Sequence, residues 1–224
     1  MRIRSRAALA AQYLRQMRRS RSPLRTLIDL PPWLGSQSRS ALSDGRPWVT
    51  YGAARALRRI VTPSSRVLEF GAGGSTVFFG SRCLEVVSVE HDAEWADAVR
   101  PLVDDRVEIV LAPPLSGEEV GRYGSTDPRY SGMSFRAYAG VADRYPDAYF
   151  DLLLIDGRAR PAAFAHAHPK VREGGWVVLD NSDRDAYIQV FETARSMGWS
   201  EKRFRGPHPY VRDFGETTIW VKRA

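Results

Sequence analysis

Glycine and acidic residues stand where several apolar segments of the chain end. Glu69 lies near the end of one apolar run, and the glycine-rich stretch 71–75 follows it. Glu90, Asp156 and the Asp-Asn pair 180–181 end three further apolar runs. A glycine-rich turn lets backbone amides approach a ligand closely, and carboxylates bind hydroxyls, ammonium groups or divalent cations. If these runs are parallel strands of one sheet, their end groups meet at one edge.

The glycine loop favours one class of adenosine ligand. Gly71 and Gly73 fit the G-x-G-x-x-G pattern of dinucleotide sites, but Thr76 stands in place of the third glycine. Glu90 follows Gly71 by 19 residues, a separation that suits an acid binding ribose hydroxyls. A carboxylate at Glu69 would repel a pyrophosphate, but it could bind the cationic amino group of an amino acid. Together these residues favour S-adenosylmethionine over a dinucleotide.

A second group of polar residues suits a divalent cation. Asp156, Asp180 and Asn181 offer three hard oxygen ligands at adjacent strand ends, the kind that Mg²⁺ prefers. Such an ion could ligate an acceptor hydroxyl and lower its pKa. The alternative is that Asp156 contacts only the cofactor, while Asp180 and Asn181 cap the next helix. Without a metal, His208 or Asp183 becomes the candidate base.

The elements that must position these groups alternate regularly from residue 47 onward. Thr50 predicts the cap of a helix that ends near Ile60. Strands are predicted at residues 66–70, 86–90, 107–111, 149–156, 176–180, 201–205 and 217–222. Helical segments separate most of them. The alternation predicts an α/β fold, a doubly wound and mostly parallel Rossmann-like sheet over residues 47–224.

Four stretches carry a family resemblance, and they occur in the expected order over residues 48–222: VLEFGAGGST, VVSVEHDAEW, FDLLLIDGRAR and VREGGWVVLDN. With them the chain resembles the class I S-adenosylmethionine-dependent methyltransferases, most of all the small-molecule group related to the catechol O-methyltransferases. The resemblance implies a seven-stranded Rossmann-like sheet and a loop that holds the methionine part of the cofactor. It places Glu90 on the ribose and His91 near the adenine. It assigns the methionine-binding loop to Glu69, Gly71, Gly73 and Ser75.

The same resemblance implies a metal site and two catalytic residues. Metal-dependent members of the catechol-type group carry an Asp at the end of the fourth strand and Asp-Asn or Asp-Asp at the end of the fifth. Asp156, Asp180 and Asn181 match those positions, so the first two are the expected catalytic residues and all three the expected metal ligands. Asp156 is also expected to contact the cofactor. A lysine base of some catechol enzymes corresponds to Ala159 here, which argues against simple base catalysis from that position.

An aromatic-rich insertion, residues 115–149, separates the third and fourth predicted strands. It is longer than one connecting helix requires, and its rings are Tyr123, Tyr130, Phe135, Tyr138, Tyr145 and Tyr149. Loops beside a cleft often carry specificity, so we expect the insertion to lie on the acceptor side. The alternative is that the rings pack the insertion onto the body, and both roles are expected together.

Most of the basic charge of the chain lies at its amino end. Residues 1–28 hold eight Arg and no acid, and without them the net charge falls from +7 to −1. An apolar stripe at helical spacing runs through Ile3, Ala7, Ala10, Leu14 and Met17. The stripe packs on the body, or binds a protein partner or an anionic membrane, or belongs to a transit peptide. Residues 29–46 are expected to be an irregular linker.

Composition and charge further restrict the location and partners expected for this protein. The chain contains a single cysteine, Cys83, and no apolar run long enough to span a membrane, which predicts a cytoplasmic protein. The neutral charge of the body argues against a nucleic-acid partner. We expect an enzyme that methylates an oxygen of a small-molecule or sugar-like acceptor. The alternatives are an N-methyltransferase acting on protein or nucleic acid, and a non-catalytic module that binds the cofactor and docks through its Arg-rich tail.

Overall fold

The computed structural model describes residues 6–18, 23–117 and 119–223. The strands of this described part are β1 (Arg66–Phe70), β2 (Glu85–Glu90), β3 (Val107–Leu111), β4 (Leu115–Ser116), β5 (Met133–Ser134), β6 (Phe150–Ile155), β7 (Val171–Asp180), β8 (Ser200–Pro207) and β9 (Phe214–Val221). The helices are α1 (Arg6–Met17), α2 (Pro23–Ile28), α3 (Leu30–Ser36), α4 (Ala41–Asp44), α5 (Tyr51–Ile60), α6 (Gly74–Gly80), α7 (Ala93–Val99), α8 (Val120–Tyr123), α9 (Arg136–Ala139), α10 (Arg160–Ala167) and α11 (Ile188–Ser196).

Seven strands form one sheet in the order β3-β2-β1-β6-β7-β9-β8, while β4 and β5 make a separate antiparallel ribbon. The first five strands of that order pair in parallel, and β9 runs antiparallel to both of its neighbours. The strand order reverses between β1 and β6, and ligands bind at such a switch point in open α/β sheets. The predicted doubly wound, mostly parallel fold is confirmed.

The sheet is buried on both faces because its central strands are apolar at successive positions. Val67 and Leu154 face one cluster, which α5 and α6 complete, whereas Leu68 and Ile155 face the cluster on the side of α10 and α11. The side chain of Thr50 accepts a hydrogen bond from the Ala53 N–H, so the predicted cap of α5 is confirmed. Two buried faces leave the carboxyl edge of the sheet as the place where polar groups can gather.

One strand begins earlier than predicted. Gly174 and Gly175 lie inside β7, which begins at Val171 rather than at Trp176. Gly174 has φ +70°, and its N–H donates to the Lys222 carbonyl at 2.8 Å. The register with β6 shifts at this point, so the glycines form an irregularity in a strand that β9 continues to pair.

The amino-terminal helix packs through a different face from the predicted stripe. Tyr13 is fully buried, with its ring 5.0 Å from the rings of both Trp33 and Phe214. Leu14 of the apolar stripe is 40% exposed, so the first alternative, packing of the stripe on the body, does not hold at this residue. Ile3 lies outside the described residues. The buried face of α1 is set by Trp33 and Phe214, which are more than 180 residues apart in the chain. Apolar periodicity within the helix carries no information about these distant contacts.

The segment 29–46, expected to be irregular, contains α3 and α4. Pro31 and Pro32 are tolerated because they lie in the first turn of α3, where the missing N–H costs no helical hydrogen bond. Ser40 and Ser43 form a reciprocal capping box at the start of α4, and Gly45 ends that helix in the left-handed conformation. In the described ranges, every helix is too short or too polar to cross a membrane.

Candidate active site

A cavity of about 740 Å³ lies at the carboxyl ends of β1, β2, β6 and β7, at the switch point of the sheet. The loop between β8 and β9 contributes His208 and Val211 to the wall, and Phe214 at the start of β9 also lines it. The structure brings onto its wall all but one of the predicted site residues: Gly71, Gly73, Ser75, Glu90, His91, Asp156, Asp180 and Asn181. The exception is Glu69.

The glycine loop after β1 is shaped by two close backbone approaches. Gly71 has φ +101°, and a Cβ there would lie 3.0 Å from the backbone of Gly157. A side chain at Gly74 would collide with the carbonyl oxygens of Ala41, the first residue of α4, and of Arg46, which follows the helix. The Gly73 N–H donates to the Thr76 hydroxyl at 2.8 Å. In a pyrophosphate site the loop amides point at the ligand. Here the Gly73 N–H is bonded to Thr76 instead, the residue that stands in place of the third glycine.

Glu90, at the end of β2, is held by the backbone and faces the cavity. Its carboxylate accepts hydrogen bonds from the N–H groups of Ala72 at 3.0 Å, His91 at 2.7 Å and Asp92 at 2.9 Å. Hydrogen bonds to the charged form fix a carboxylate in place and leave lone pairs for a further donor. This arrangement suits recognition of a ribose.

Trp95, in the first turn of α7, is a wall residue that the sequence reasoning did not assign. Its indole N–H donates to the Ala72 carbonyl at 2.7 Å, and its ring lies beside Gly73 while remaining 41% exposed. An exposed tryptophan on a cavity wall offers a flat apolar surface to a ligand. The position of Trp95 five residues after Glu90 was the sequence signal that could have assigned it to the site.

His91 links the cavity to the insertion. Its Nδ1 lies 2.6 Å from the Glu90 carboxylate, and its Nε2 shares a hydrogen bond with the Tyr130 hydroxyl at 2.9 Å. Tyr130 is on the cavity wall, whereas Phe135 and Tyr138 are fully buried in the core. Among the insertion aromatics of the described chain, Tyr130 reaches this cavity and the others pack.

Glu69 lies beneath the glycine loop and is fully buried. Neither carboxylate oxygen has a hydrogen-bond partner in the described part of the chain. Burial raises the pKa of Glu69 to about 7, moderated by the nearby hydroxyls of Thr76, Ser75 and Ser88. The structure therefore does not bring Glu69 to the position expected for a ligand of the methionine amino group.

A guanidinium occupies the place expected for a divalent cation. The Arg160 Nη2 donates to Asp156 Oδ1 at 3.0 Å and to Asn181 Oδ1 at 3.2 Å, while Nη1 donates to the main-chain carbonyl of Asp180. Arg184 also donates to Asn181 Oδ1, at 2.8 Å. In the described ranges, no group of three or more His, Cys, Asp or Glu side chains could hold a metal ion. The residues present do not fit the predicted metal site. Arg160 already bonds to the side-chain oxygens of Asp156 and Asn181, and the carboxylate of Asp180 is bonded to other side chains.

His208 and Asp180 form a buried pair on the same wall. The His208 Nε2 lies 3.0 Å from Asp180 Oδ1, which also accepts from the Thr217 hydroxyl at 2.5 Å. The second oxygen of Asp180 accepts from the Asn181 amide at 2.8 Å. No hydrogen bond to the Nδ1 of His208 comes from the described residues, and Gly215 leaves room for the ring.

Neighbouring carboxylates determine the direction in which the pKa of His208 is shifted. Burial by itself lowers the pKa of His208, but the hydrogen bond and charge of Asp180, with the charges of Asp156 and Asp183, outweigh it. The pKa of His208 is therefore raised above its ordinary value of 6.5. For Asp156, burial and the neighbouring Asp180 raise the pKa, while Arg160 opposes the shift.

Two further histidines and the predicted candidate Asp183 differ in their position relative to this cavity. His166 bonds to Asp143 at 2.8 Å and to Tyr123 at 3.1 Å, and His168 stacks on Phe164, so both histidines lie apart from this cavity. Asp183 lies on the wall of the cavity.

The fold and the cavity together define a Rossmann-like domain with a cavity at its switch point. No protein-family model matches the chain, and a search of curated proteins found no match. Solved structures similar to this chain are class I S-adenosylmethionine-dependent methyltransferases, and the chain has their fold.

Three of these structures show the extent of the similarity. The O-methyltransferase TomG of Streptomyces achromogenes, involved in tomaymycin synthesis and solved with SAM, is 18% identical, with a TM-score of 0.52 over 99% of this chain and 92% of TomG. Cofactor-bound Rv0187 from MTB is 19% identical, with a TM-score of 0.52 over 91% of this chain and 98% of Rv0187. The tRNA (m1A58) methyltransferase TrmI of Aquifex aeolicus is 14% identical, with a TM-score of 0.52 over 83% of this chain and 77% of TrmI.

Proposed function

We propose that the protein is an S-adenosylmethionine-dependent methyltransferase that acts on a hydroxyl of a small-molecule or sugar-like acceptor. One observation carries the proposal: a single cavity has the glycine loop and Glu90 at one end, and the His208–Asp180 pair at the other. The first end suits an adenosine ligand, and the second suits removal of a proton. The similarity to TomG, which was solved with SAM, supports the choice of cofactor.

The residues of the first end fit the cofactor. Gly71, Gly73 and Ser75 would hold the amino-acid part against the loop, Glu90 would bind the ribose hydroxyls, and His91 would lie near the adenine. The restricted space at Gly71 keeps the loop backbone close to the cavity. When bound, S-adenosylmethionine supplies a methyl group activated by a sulfonium. Methyl transfer needs alignment more than covalent help, so these residues act by positioning.

The residues of the second end handle the acceptor proton. Asp180 accepts the Nε2–H of His208 and thereby leaves Nδ1 as the basic nitrogen. His208 Nδ1 would take the proton of the acceptor hydroxyl, and Asp180 would stabilise the imidazolium that results. Arg160 keeps Asp156 and Asn181 oriented and offsets the negative charge of this end. No step of this proposal passes through a metal ion.

A methyl acceptor that is an amine of protein or nucleic acid is the weaker alternative. The residues after the fourth predicted strand, Ile155-Asp156-Gly157-Arg158, lack the Asn-Pro-Pro-Tyr type of motif used on amino groups. A buried histidine–carboxylate pair is suited to a hydroxyl, which must lose its proton as it attacks.

The proposal is tested by transfer of label. The full chain is incubated with S-adenosylmethionine carrying a deuterated methyl group and a fractionated metabolite extract, and products are sought by mass spectrometry. We expect a product in which a hydroxyl has gained the labelled methyl, and loss of that product with His208→Gln. The control variant His166→Gln removes a histidine outside the cavity and should retain activity. Labelling of nitrogen alone, or equal activity in both variants, would contradict the proposal.

A further inference from the structure

The short helix α2 presents an apolar stripe that nothing covers in the described part of the chain. Leu24, Leu27 and Ile28 are 82%, 46% and 72% exposed, and their spacing places them on one face of the helix. The opposite side is anchored, because the Thr26 carbonyl accepts a hydrogen bond from Tyr13 and the Thr26 side chain is buried. The stripe is therefore held outward by the fold.

A cationic cavity adjoins this stripe. It encloses about 380 Å³, and four arginines and Ile28 contribute to its lining: Arg39, Arg46, Arg55 and Arg58. Arg39 pairs with Asp44, and Arg55 pairs with Asp29. No acid of the described residues pairs with Arg46 or Arg58, which leaves the cavity with an excess of positive charge.

Helix α5 extends the same charged surface. Arg55, Arg58 and Arg59 are exposed and lie three and four residues apart, so they share one face of the helix. Ile28 is common to the apolar stripe and to the arginine cavity, which makes the two features one continuous surface. We name it the α2–α5 surface.

We propose that the α2–α5 surface docks the protein on a membrane that contains anionic phospholipid. Interfacial binding requires an apolar face that enters the headgroup region and basic residues that attract anionic lipids, and one weak signal alone is insufficient. Here the apolar stripe of α2 supplies the face that enters the headgroup region, and Arg46 and Arg58 supply the basic residues. The cavity is suited to a phosphate of a lipid headgroup, because guanidinium groups bind phosphate through paired donors. The proposal is independent of the methyl acceptor.

Vesicle sedimentation tests the proposal on the full chain. The probes are vesicles of phosphatidylcholine alone, and vesicles that contain phosphatidylglycerol at about one lipid in three. We expect binding to the second kind only, with loss of binding at high salt because exposed charges are screened. Arg46→Gln/Arg58→Gln should weaken binding about 30-fold, at roughly fivefold for each arginine near an anionic surface.

Matched variants separate the two signals. Leu24→Gln/Leu27→Gln/Ile28→Gln should weaken vesicle binding more than about tenfold, as expected when three apolar side chains no longer leave water. If that variant fails to fold by circular dichroism, Leu24→Gln alone serves, since Leu24 is 82% exposed. The controls are Leu84→Gln, an exposed leucine elsewhere, and Arg122→Gln/Arg144→Gln in the insertion.

Three outcomes would overturn the proposal. The first is no sedimentation of the wild type with phosphatidylglycerol vesicles. The second is equal binding by the arginine variant and the wild type. The third is full retention of binding, both to phosphatidylglycerol vesicles and to heparin, by the variant Leu24→Gln/Leu27→Gln/Ile28→Gln. That result would identify a general polyanion site.

Discussion

Asp180→Asn is the substitution that best separates a proton-accepting His208 from a merely buried one. The carboxylate of Asp180 is 2% exposed and accepts hydrogen bonds from His208, Thr217 and Asn181. A hydrogen bond to a charged group contributes about 1.5 to 3 kcal/mol, and one pKa unit corresponds to about 1.4 kcal/mol. Removing the charge should therefore lower the pKa of His208 by about 1 to 2 units.

The assay is NMR titration of the imidazole nitrogens, which requires no acceptor. The chain contains four histidines, and His208→Gln identifies the resonance that belongs to His208. In the wild type we expect a pKa above 6.5 and, in the neutral ring, a proton on Nε2. A titration that is unchanged in Asp180→Asn, or a neutral wild-type ring protonated on Nδ1, would refute the reasoning.

The same substitution has a signature in stability. A folded-state pKa raised above 6.5 contributes stability that is fully present below pH 6.5 and is lost as the pH rises through the folded-state value. Wild-type stability should therefore fall across that interval by more than the stability of Asp180→Asn. Once an acceptor is known, the rate should rise with pH as His208 loses its proton, and Asp180→Asn should lower kcat by about 10² to 10⁴.

Three further predictions concern the cofactor, the metal and the amino-terminal helix. Glu90→Ala should weaken S-adenosylmethionine binding by about 1.5 to 3 kcal/mol in calorimetry, while the exposed neighbour Glu94→Ala leaves it unchanged; equal affinities would exclude Glu90 from the site. Electron paramagnetic resonance should detect no tight Mn²⁺ binding to the wild type because Arg160 holds the oxygen ligands, and a stoichiometric Mn²⁺ signal would refute this assignment. Tyr13→Ala should lower the free energy of unfolding by about 3 kcal/mol in urea titration, whereas Leu14→Ala should change it by about 0.5 kcal/mol or less; comparable losses would contradict the packing described.

Local patterns were enough to predict the sheet. The strands β1 and β3 have the bounds that the sequence predicts, residues 66–70 and 107–111. They were predictable because short apolar runs between turns specify buried parallel strands. Glycine spacing placed the loop correctly at the switch point. The direction of the Glu69 side chain was beyond such reasoning, because a strand buried on both faces shows no alternation that distinguishes one face from the other.

The chemistry of the site depended on contacts across the chain. Asp156, Asp180 and Asn181 do meet at one edge, but their types could not reveal that Arg160 enters among them. Its position four residues after Asp156 was visible in the sequence, but the pair spans the turn between β6 and α10, so the spacing alone does not predict the contact. The pairing of His208 with Asp180 joins a late loop to a strand end, and local patterns carry no information on that contact.

The packing of α1 has a consequence for how the chain folds during synthesis. Gln16 donates a hydrogen bond to the Arg212 carbonyl, 196 residues later in the chain, and Tyr13 packs against Phe214. The helix leaves the ribosome long before those partners exist, so Tyr13 lacks its contact with Phe214 until the β8–β9 hairpin has formed. Contacts of such large sequence separation are expected to form late. Docking of α1 is therefore one of the last steps of folding, and the loop that carries His208 gains its final support only then.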